Sequence, residues 1–554
     1  MLLNELYKFG EQLNVPFGFS NSKKLNYLIT IDLNGEFIDL DELGSKFLLS
    51  DKIRSNNIVS NFLHDNLEYV AGIDAETLQK DKKITEKHLE FVNHHKFIQE
   101  IVSNNYINAI NLFYEKDGAN KLHEKLSSKE KSDLSGWFGF RIKEQGNYVK
   151  PHEDEELIRF YSAWLKNGIA DECRVGQCSI TGEHNQHLIS ISAKKVKGLP
   201  NCRSTGSSIY SNNFSSVESF GLEQLGSSYI SQNADHKITN AIEYLLSNPS
   251  HNLKLNDLNK MYIFWTDEDI NQQFNPLKFF VDSTISAEEI NTFLSNWKHN
   301  KNNFKNISQA NCSMIEISTG TTRPFYKMHH FKESEIKNNL EKWFSCIESH
   351  HGKFKFFSIY SLTKCIDPKS SYYKKIKQDL FDMMFFGKQT SKYLKVQINR
   401  ENLSFAGPFE TKKRKFLSHE KMALINCCLG YSNMEIKNHA YNYGKILAFA
   451  DNLQSQALTE VNTSISQKFY RGNNPKRTFK ELDNKIRLYI DMIKRDKKGL
   501  GFFFEGKYNE LINNLELPLK FNDDEQLLKA KGFYEERLSK NKSQSDNNKN
   551  EIIN

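Results

Sequence analysis

The apolar residues of this chain change their spacing once, near residue 411, and this change limits the folds that the chain can adopt. Before that point the pattern switches repeatedly between strand and helix, and residues 25–40, "LNYLITIDLNGEFIDL", alternate on both sides of Asn34-Gly35. An Asn-Gly pair between alternating runs is the strongest short signal for a β-hairpin. Beyond Lys412 the spacing is almost wholly helical. Helices are predicted near residues 418–430, 435–458, 475–494, 506–516 and 524–540.

These patterns predict an α+β protein with several domains. We expect a mixed α/β N-terminal body with an antiparallel sheet and hairpins, followed by an all-α C-terminal helical bundle. Further strands are predicted in residues 62–74, 136–142, 261–265 and around 312–331, and further helices in 155–165 and 234–248. The expected parts are an N-terminal body (1–268), a middle mixed α/β region (269–415), the bundle (416–540) and a disordered polar tail (541–554).

The excess of positive charge lies in one part of the chain. The whole sequence has 75 Lys plus Arg against 68 Asp plus Glu. From Thr411 onward these counts are 26 and 18, so the preceding residues carry 49 and 50 and are close to neutral. A locally basic segment is typical of proteins that bind a polyanion, most often nucleic acid, although a merely soluble basic surface gives the same count.

The composition also predicts where the protein resides. No run of 18 or more apolar residues is present, so no membrane association is expected. The first residues, "MLLNELYKFGEQLNVP", lack the basic and apolar blocks of an export signal and have the spacing of a short helix. The eight cysteines follow no regular framework and are expected to be reduced. We therefore expect a cytoplasmic protein.

The stretch "CRVGQCSITGEHNQH" (173–187) contains four residues of the types that bind zinc, namely Cys173, Cys178, His184 and His187. Zinc requires four ligands that converge tetrahedrally. Here Cys178 and His184 are separated by only five residues, and these include a Thr-Gly turn. This spacing favours a hairpin with buried thiols and surface imidazoles over a metal site. No metal and no cofactor is expected.

A second candidate for metal chemistry is the dipeptide His64-Asp65, which is similar to the adjacent His and Asp of metal-dependent phosphohydrolases. It lies in a strand-like run without obvious partner ligands. The chain has no G-x-x-x-x-G-K-[ST], G-x-S-x-G or H-E-x-x-H motif. We therefore expect a protein that is not an enzyme.

The predicted loop "SDKIRSNNIVSN" (50–61) is rich in side chains that can read base edges. An Asn-rich turn without function is the alternative, because the whole chain is rich in asparagine. The candidate residues of this loop are Arg54, Asn56, Asn57 and Asn61, and the candidates for phosphate contacts in the preceding polar loop are Lys23 and Lys24.

Two further segments suit nucleic acid. In residues 194–213, cations combine with small polar residues that let backbone N–H groups approach phosphates, although a flexible surface loop has the same composition. The candidates there are Lys194, Lys195, Lys197, Arg203, Ser207, Ser208, Asn212 and Asn213. Residues 464–482, "SISQKFYRGNNPKRTFKEL", interleave cations with Phe469, Tyr470 and Phe479, as in single-strand binding sites or a buried aromatic stripe. The candidate cations are Lys468, Arg471, Lys476 and Arg477.

Several segments, in their order along the chain, resemble one known family. They include "PFGFSNSKKLNYLITIDLNG", "NFLHDNLEYVAGID", "GQCSITGEHNQHLISISAKKVKG", "SSIYSNNFSSVESFG", "YNYGKILAFADNLQSQA" and "SISQKFYRGNNPKRTFKEL". Together they resemble the Csd-type large subunit of type I-C CRISPR surveillance complexes (Cascade). The segments span both ends of the chain, whereas residues 270–410 match only loosely.

The resemblance implies a role in prokaryotic antiviral defence. In such complexes the large subunit recognises a protospacer-adjacent motif (PAM) on target double-stranded DNA and begins strand separation, while a guide CRISPR RNA supplies sequence specificity by pairing; the unrelated Cas9 divides the labour in the same way. The implied partners are the backbone, guide-end-capping and small subunits and a recruited helicase-nuclease. On this basis, loop 50–61 is expected at the PAM, residues 194–213 on nucleic-acid backbone, and the bundle on the displaced strand of the R-loop.

The C-terminal part resembles the small subunit of these complexes, which can also be made from an internal start, and Met422 and Met434 are the candidates for such a start. Two alternatives remain open. One is a metal-dependent nuclease or hydrolase that uses residues 173–187 or His64-Asp65. The other is a structural DNA-binding subunit unrelated to CRISPR.

Overall fold

The computed structural model divides the chain into two compact units. One consists of Met1–Gln273 and Ser313–His329, and the other of Phe274–Cys312 and His330–Asn554. The structure describes residues 2–21, 23–52, 58–127, 134–168, 174–190, 195–199, 202, 206–211, 216, 221–267, 311–319, 324–347, 357–363, 372–390, 392, 394–396, 398–399, 418–429, 438–472 and 474–550. None of the helices in these residues combines the length and the apolar character of a membrane-spanning segment.

The strands of the described residues follow one another within the first 332 positions. They are β1 (Phe19–Ser20), β2 (Lys24–Asp32), β3 (Phe37–Lys46), β4 (Leu49–Ser50), β5 (His64–Asn66), β6 (Trp137–Glu144), β7 (Asn147–Val149), β8 (Val175–Gly176), β9 (Gln186–His187), β10 (Asn252–Leu255), β11 (Lys260–Thr266), β12 (Asn311–Thr319) and β13 (Pro324–Lys332).

Helices connect these strands and form most of the described part of the second unit. In the first unit they are α1 (Leu2–Gln12), α2 (Leu67–Val70), α3 (Lys82–Ile101), α4 (Asn105–Glu115), α5 (Gly118–Ser127), α6 (Glu155–Gly168) and α7 (Gln232–Ser247), with 3-10 turns at Pro151–Glu153, Gln224–Ser228 and Asn256–Leu258. In the second unit they are α8 (Glu333–Ile347), α9 (Ile359–Thr363), α10 (Tyr373–Phe386), α11 (Ser418–Leu429), α12 (His439–Ala457), α13 (Ile465–Phe469), α14 (Pro475–Asp496), α15 (Lys498–Ile512) and α16 (Asp523–Asn550).

The predicted α+β class is confirmed, with a mixed body followed by helices. The predicted hairpin is β2–β3, which pairs Leu28 with Asp41 and turns at Gly35 with a φ of 78°. The sheet has the order β3-β2-β6-β5, with β7 beside β6. The pairs β2–β3, β5–β6 and β6–β7 are antiparallel as predicted, whereas β2 and β6 run parallel. Parallel neighbours require a long crossover, and α3, α4 and α5 lie within it.

A second sheet, with the order β10-β11-β12-β13, supports the N-terminal helix of the chain. One face packs on α1 and α7 through Phe9, Ile238, Ile263 and Ile315, which are buried together. The strand pair predicted around residues 312–331 is therefore present, and its residues 313–329 belong to the first unit. The predicted limits at 268, 415 and 540 remain predictions.

One local prediction differs from the structure. Residues 62–74 were expected to be a strand, but β5 ends at Asn66 because that side chain accepts a hydrogen bond from the Tyr69 N–H and caps α2. The polar tail (541–554) remains a prediction, and the last helix, α16, is assigned as Asp523–Asn550.

The helices α12 and α16 of the second unit cross at two glycines. A Cβ built at Gly444 would overlap the carbonyl oxygen of Lys529, and one built at Gly532 would overlap that of Tyr441. The backbones of the two helices thus approach so closely that only glycine fits at the crossing.

Lys529, beside this crossing, is itself buried, and its Nζ donates to the Tyr470 carbonyl oxygen at 3.0 Å. Burial lowers the pKa of this amine to about 8.

Candidate nucleic-acid interface

A cleft of about 730 Å³ in the first unit brings together two of the predicted nucleic-acid segments. It lies among the start of β2, the residues after β4, the start of β6, residues 195–198 and the end of α7. We call it the lysine cleft. It is lined by Lys23, Lys24, Asn26, Asp51, Lys52, Asn61, Trp137, Lys195, Lys197, Gly198, Glu243, Leu246 and Ser247.

Charge is unevenly distributed over the lysine cleft. Five lysines line it, whereas the acidic residues of its lining are Asp51 and Glu243. Glu243 accepts a hydrogen bond from the Ser20 hydroxyl at 3.4 Å. A concave surface with such an excess of cations attracts phosphate groups, and a cleft with low-dielectric walls concentrates the field.

Residues 195–197 lie at the cleft with both lysines exposed, because the residue between them is held in the core. Val196 is fully buried beside Ile238 of α7. Its N–H and C=O exchange hydrogen bonds of 2.9 Å with the backbone of Ser207. In an extended segment, alternate side chains point to opposite sides, so burial of Val196 directs Lys195 and Lys197 outward. Ser207 thus supports this segment through its backbone, and it and Ser208 are half-buried.

Lys23 and Lys24 differ in how far they are available to a ligand. The Lys23 ammonium lies 2.6 Å from the Asp51 carboxylate and 4.3 Å from the centre of the Trp137 ring, and its side chain is 16% exposed. It therefore ties β2 to β6 and to the residues after β4. Lys24 is exposed. Of the two predicted phosphate contacts, Lys24 is the one that faces solvent.

Asn61 is buried and closes the base of the predicted loop 50–61. Its Oδ1 accepts a hydrogen bond from the Lys52 N–H at 3.0 Å, and its own N–H donates to Asp65 Oδ2 at 2.8 Å. Beside it, the Phe62 N–H donates to Ser50 Oγ at 2.7 Å. With 1% exposure, Asn61 supports the loop base, and its role in reading a base remains a prediction.

Among the lining residues that sequence reasoning missed, Lys52 and Trp137 are the ones that add a cation and an aromatic ring to the lysine cleft. Lys52 adjoins the predicted loop residues, and its ammonium lies 5.9 Å from the Tyr161 ring and 5.6 Å from the Trp164 ring. A count of all the cations within residues 50–61 would have found it. No sequence pattern predicted Trp137 at this site. Its ring lies beside Lys23 only because β6 pairs with β2.

Seven predicted site residues lie outside the described residues, so their positions are not assigned. They are Arg54, Asn56, Asn57, Lys194, Arg203, Asn212 and Asn213.

In the bundle, two of the three aromatic residues of 464–482 are buried, and the third, Phe479, is half-buried. Phe469 and Tyr470 are each 2% exposed, and Tyr470 packs edge-on against Phe533. Lys468 lies 2.5 Å from Glu481 in an ion pair. The rings thus belong to the core, as the alternative of a buried aromatic stripe proposes. The predicted cations Arg471, Lys476 and Arg477 are exposed.

The stretch 173–187 has a structural role in its described part. Strands β8 and β9 pair, so a short hairpin is present. Cys178 is buried, and its Sγ accepts a hydrogen bond from the Ser231 N–H at 3.4 Å. Burial raises the pKa of this thiol, but hydrogen bonds from Ser231 and Thr181 outweigh it and lower the pKa overall. His184 is exposed, and Cys173 lies outside the described residues.

His64 and Asp65 are placed apart by the geometry of β5. Adjacent residues of a strand point to opposite faces, so the two side chains do not share a ligand position. Asp65 accepts hydrogen bonds from the Asn61 and Asn66 backbones. Burial, together with nearby Lys23, lowers the pKa of His64 well below its ordinary value. Among the described residues, no three His, Cys, Asp or Glu side chains are grouped to hold a metal.

Replacing Asn61 with alanine is expected to loosen the base of loop 50–61. The substitution leaves the Lys52 N–H without its acceptor, and loss of a buried hydrogen-bond partner costs about 1–3 kcal/mol of unfolding free energy. Thermal unfolding of the full-length chain measures this change. Ser50→Ala removes the neighbouring bond and is expected to act in the same direction. Wild-type stability in both variants would contradict a structural role for this loop base.

Comparison with known families identifies the chain. A family model described as CRISPR-associated protein (Cas_Csd1) matches residues 3–539, which is nearly the whole chain. No curated protein matches it significantly. The match extends over both compact units.

Proposed function

The chain belongs to the Csd1 family of CRISPR-associated proteins, and from that premise we propose that it is the non-catalytic large subunit of a type I-C RNA-guided surveillance complex. In this role it recognises a PAM on double-stranded DNA, helps to initiate the R-loop and holds the displaced strand. It also provides a surface for a helicase-nuclease that cuts the target. It acts by binding, with the guide RNA reading the sequence.

The observation that carries this proposal is the convergence of predicted segments at the lysine cleft. Lys24 and Lys195 are far apart in the sequence, yet they line the same concavity. The base of loop 50–61 lies at the same place through Lys52 and Asn61. Phosphate contacts fix the register of a protein on DNA, whereas base contacts supply specificity. The lysine cleft supports the first role, and loop 50–61 is the candidate for the second.

The exposed cations of the bundle support the role on the displaced strand. Arg471, Lys476 and Arg477 are exposed near the start of α14. A groove or face of such cations follows a polynucleotide backbone without regard to its sequence. A separate small subunit from an internal start would retain this face. Met422 lies within α11, and both Met422 and Met434 precede α12, so either start leaves α12 to α16 complete.

Replacing Asn56 and Asn57 together with alanine tests PAM recognition. The purified complex is titrated with a PAM-containing duplex and with a matched duplex that lacks the PAM. Loss of one base-reading side chain is expected to reduce discrimination by about 1–3 kcal/mol. Binding to the PAM-less duplex is expected to stay the same, because phosphate contacts are retained. A ratio equal to that of the wild type rejects the assignment of the loop.

A further inference from the structure

The turn between α14 and α15 exposes both aromatic rings and cations. Phe502 is 54% and Phe503 is 63% exposed, whereas the next residue, Phe504, is 7% exposed and packs against Phe449. The helical period explains this, because Phe504 faces the bundle and the two preceding rings face away from it. Two adjacent exposed phenylalanines in a charged segment need a reason beyond packing.

The exposed cations of this turn have no acidic partner among the residues that the structure describes. They are Arg495, Lys497 and Lys498. Lys494, by contrast, forms a 2.7 Å ion pair with Glu505 and lies 5.0 Å from the centre of the Phe502 ring. Asp496 is the acidic residue between the exposed cations in the sequence. The local charge is thus positive, and Lys494 helps to fix one ring.

The start of α15 adds further donors at the same place. No side chain caps this helix, whose N-cap residue is Lys497, whereas the Asn474 side chain caps α14 by accepting a hydrogen bond from the Arg477 N–H. The first N–H groups of a helix have no partner within it and carry a partial positive charge. Uncapped amides beside two lysines can therefore receive an anionic oxygen.

We propose that this turn, which we call the aromatic turn (Arg495, Lys497, Lys498, Phe502 and Phe503), binds an unpaired polynucleotide strand. The cations and amides contact phosphates, and the exposed rings stack on bases. This inference deepens the proposed function and rests on its strand-holding part. It supplies the stacking rings that residues 464–482 do not, because Phe469 and Tyr470 are buried. A protein partner fits less well, because two of the three cations are lysines, which are depleted at protein interfaces.

The test measures binding of fluorescein-labelled poly(dT) to the full-length chain over a series of salt concentrations. The variant F502A/F503A is expected to bind at least about tenfold more weakly at every salt concentration, since stacking contributes about 1–3 kcal/mol per base. The variant K497A/K498A is expected to lower the slope of log affinity against log salt by about 1.4, or about 0.7 per phosphate contact. F502A/F503A is expected to leave that slope unchanged.

Four control variants separate the outcomes. F502Y/F503Y keeps both rings and is expected to bind like the wild type, whereas F502L/F503L keeps apolar surface and is expected to bind like the alanine variant. Leu519→Ala removes another exposed apolar side chain, 68% exposed, and is expected to have no effect. R471A/K476A/R477A measures how much the cations near the start of α14 contribute to poly(dT) binding in addition to the aromatic turn.

Unchanged poly(dT) affinity in F502A/F503A overturns the inference, and so does wild-type binding by F502L/F503L. Loss of self-association in F502A/F503A, with strand binding intact, assigns the surface to a second copy of the chain and also overturns it. The purified complex is titrated with PAM-containing and PAM-less duplexes. A wild-type complex without PAM discrimination refutes the proposed function, whereas intact discrimination together with unchanged poly(dT) binding by F502A/F503A refutes the aromatic turn alone.

Discussion

Alanine in place of Gly444 or Gly532 is expected to destabilise the second unit by about 3 kcal/mol, although alanine normally favours a helix over glycine. The new Cβ would overlap a backbone carbonyl oxygen of the facing helix, that of Lys529 or that of Tyr441. Backbone atoms cannot rotate away as a flexible side chain can, so α12 and α16 must separate. The loss of packing then outweighs the gain in helix propensity.

Hydrogen–deuterium exchange of the full-length chain locates this effect. Protection is expected to fall in peptides from α12 and α16 and to stay unchanged in peptides from the first unit. Gly506→Ala is the matched control, because Gly506 also lies within a helix but has nothing within 4 Å of the added Cβ. That variant is expected to stabilise α15 by up to about 1 kcal/mol. Equal behaviour of Gly444→Ala and Gly506→Ala would contradict the close crossing.

Charge reversal at Lys195 and Lys197 is expected to have the largest effect on DNA binding. Both lysines are exposed at the lysine cleft, and reversal replaces two attractive contacts with repulsion. Each phosphate contact contributes about 0.9 to the slope of log affinity against log salt. The wild type is expected to bind DNA more tightly than K195E/K197E, and the ratio of the two affinities reflects two phosphate contacts. Raising the salt concentration from about 50 to about 200 mM should therefore reduce this ratio about tenfold. Titrating the purified complex with target duplex over that range measures it.

The control for this prediction reverses two lysines elsewhere in the first unit. Lys82 and Lys83 are exposed at the start of α3 and do not line the lysine cleft. K82E/K83E is expected to bind DNA with nearly the affinity of the wild type, apart from a small loss caused by long-range electrostatic repulsion. An equal loss of affinity at all salt concentrations in K195E/K197E would indicate misfolding instead of lost phosphate contacts. A loss as large in K82E/K83E would show that net charge alone controls binding.

Local sequence patterns predicted most elements of the fold. Alternation around Asn34-Gly35 predicted the β2–β3 hairpin, and helical spacing after residue 412 predicted the bundle. The prediction for the start of α15 was less accurate. A helix was expected near 506–516, but α15 spans Lys498–Ile512, because glycines at its start dilute the helical signal.

The chemistry of the site was less predictable than the fold. Asn61 was expected to read a base, yet its carboxamide holds the Lys52 backbone. Lys23 was expected to hold a phosphate, yet it is paired with Asp51. Residue type alone cannot distinguish a polar side chain that faces a ligand from one that satisfies a buried backbone group.

The sequence by itself determined the element types, the basic character of the C-terminal part and the membership of the Csd1 family, because these depend on residue identity and short-range spacing. Only the tertiary structure decided that Lys24 and Lys195 line one cleft and that Phe469 is buried while Phe503 is exposed. The reason is physical. Periodicity encodes which face of an element is apolar, but distant segments meet only when packing of the whole unit selects their neighbours.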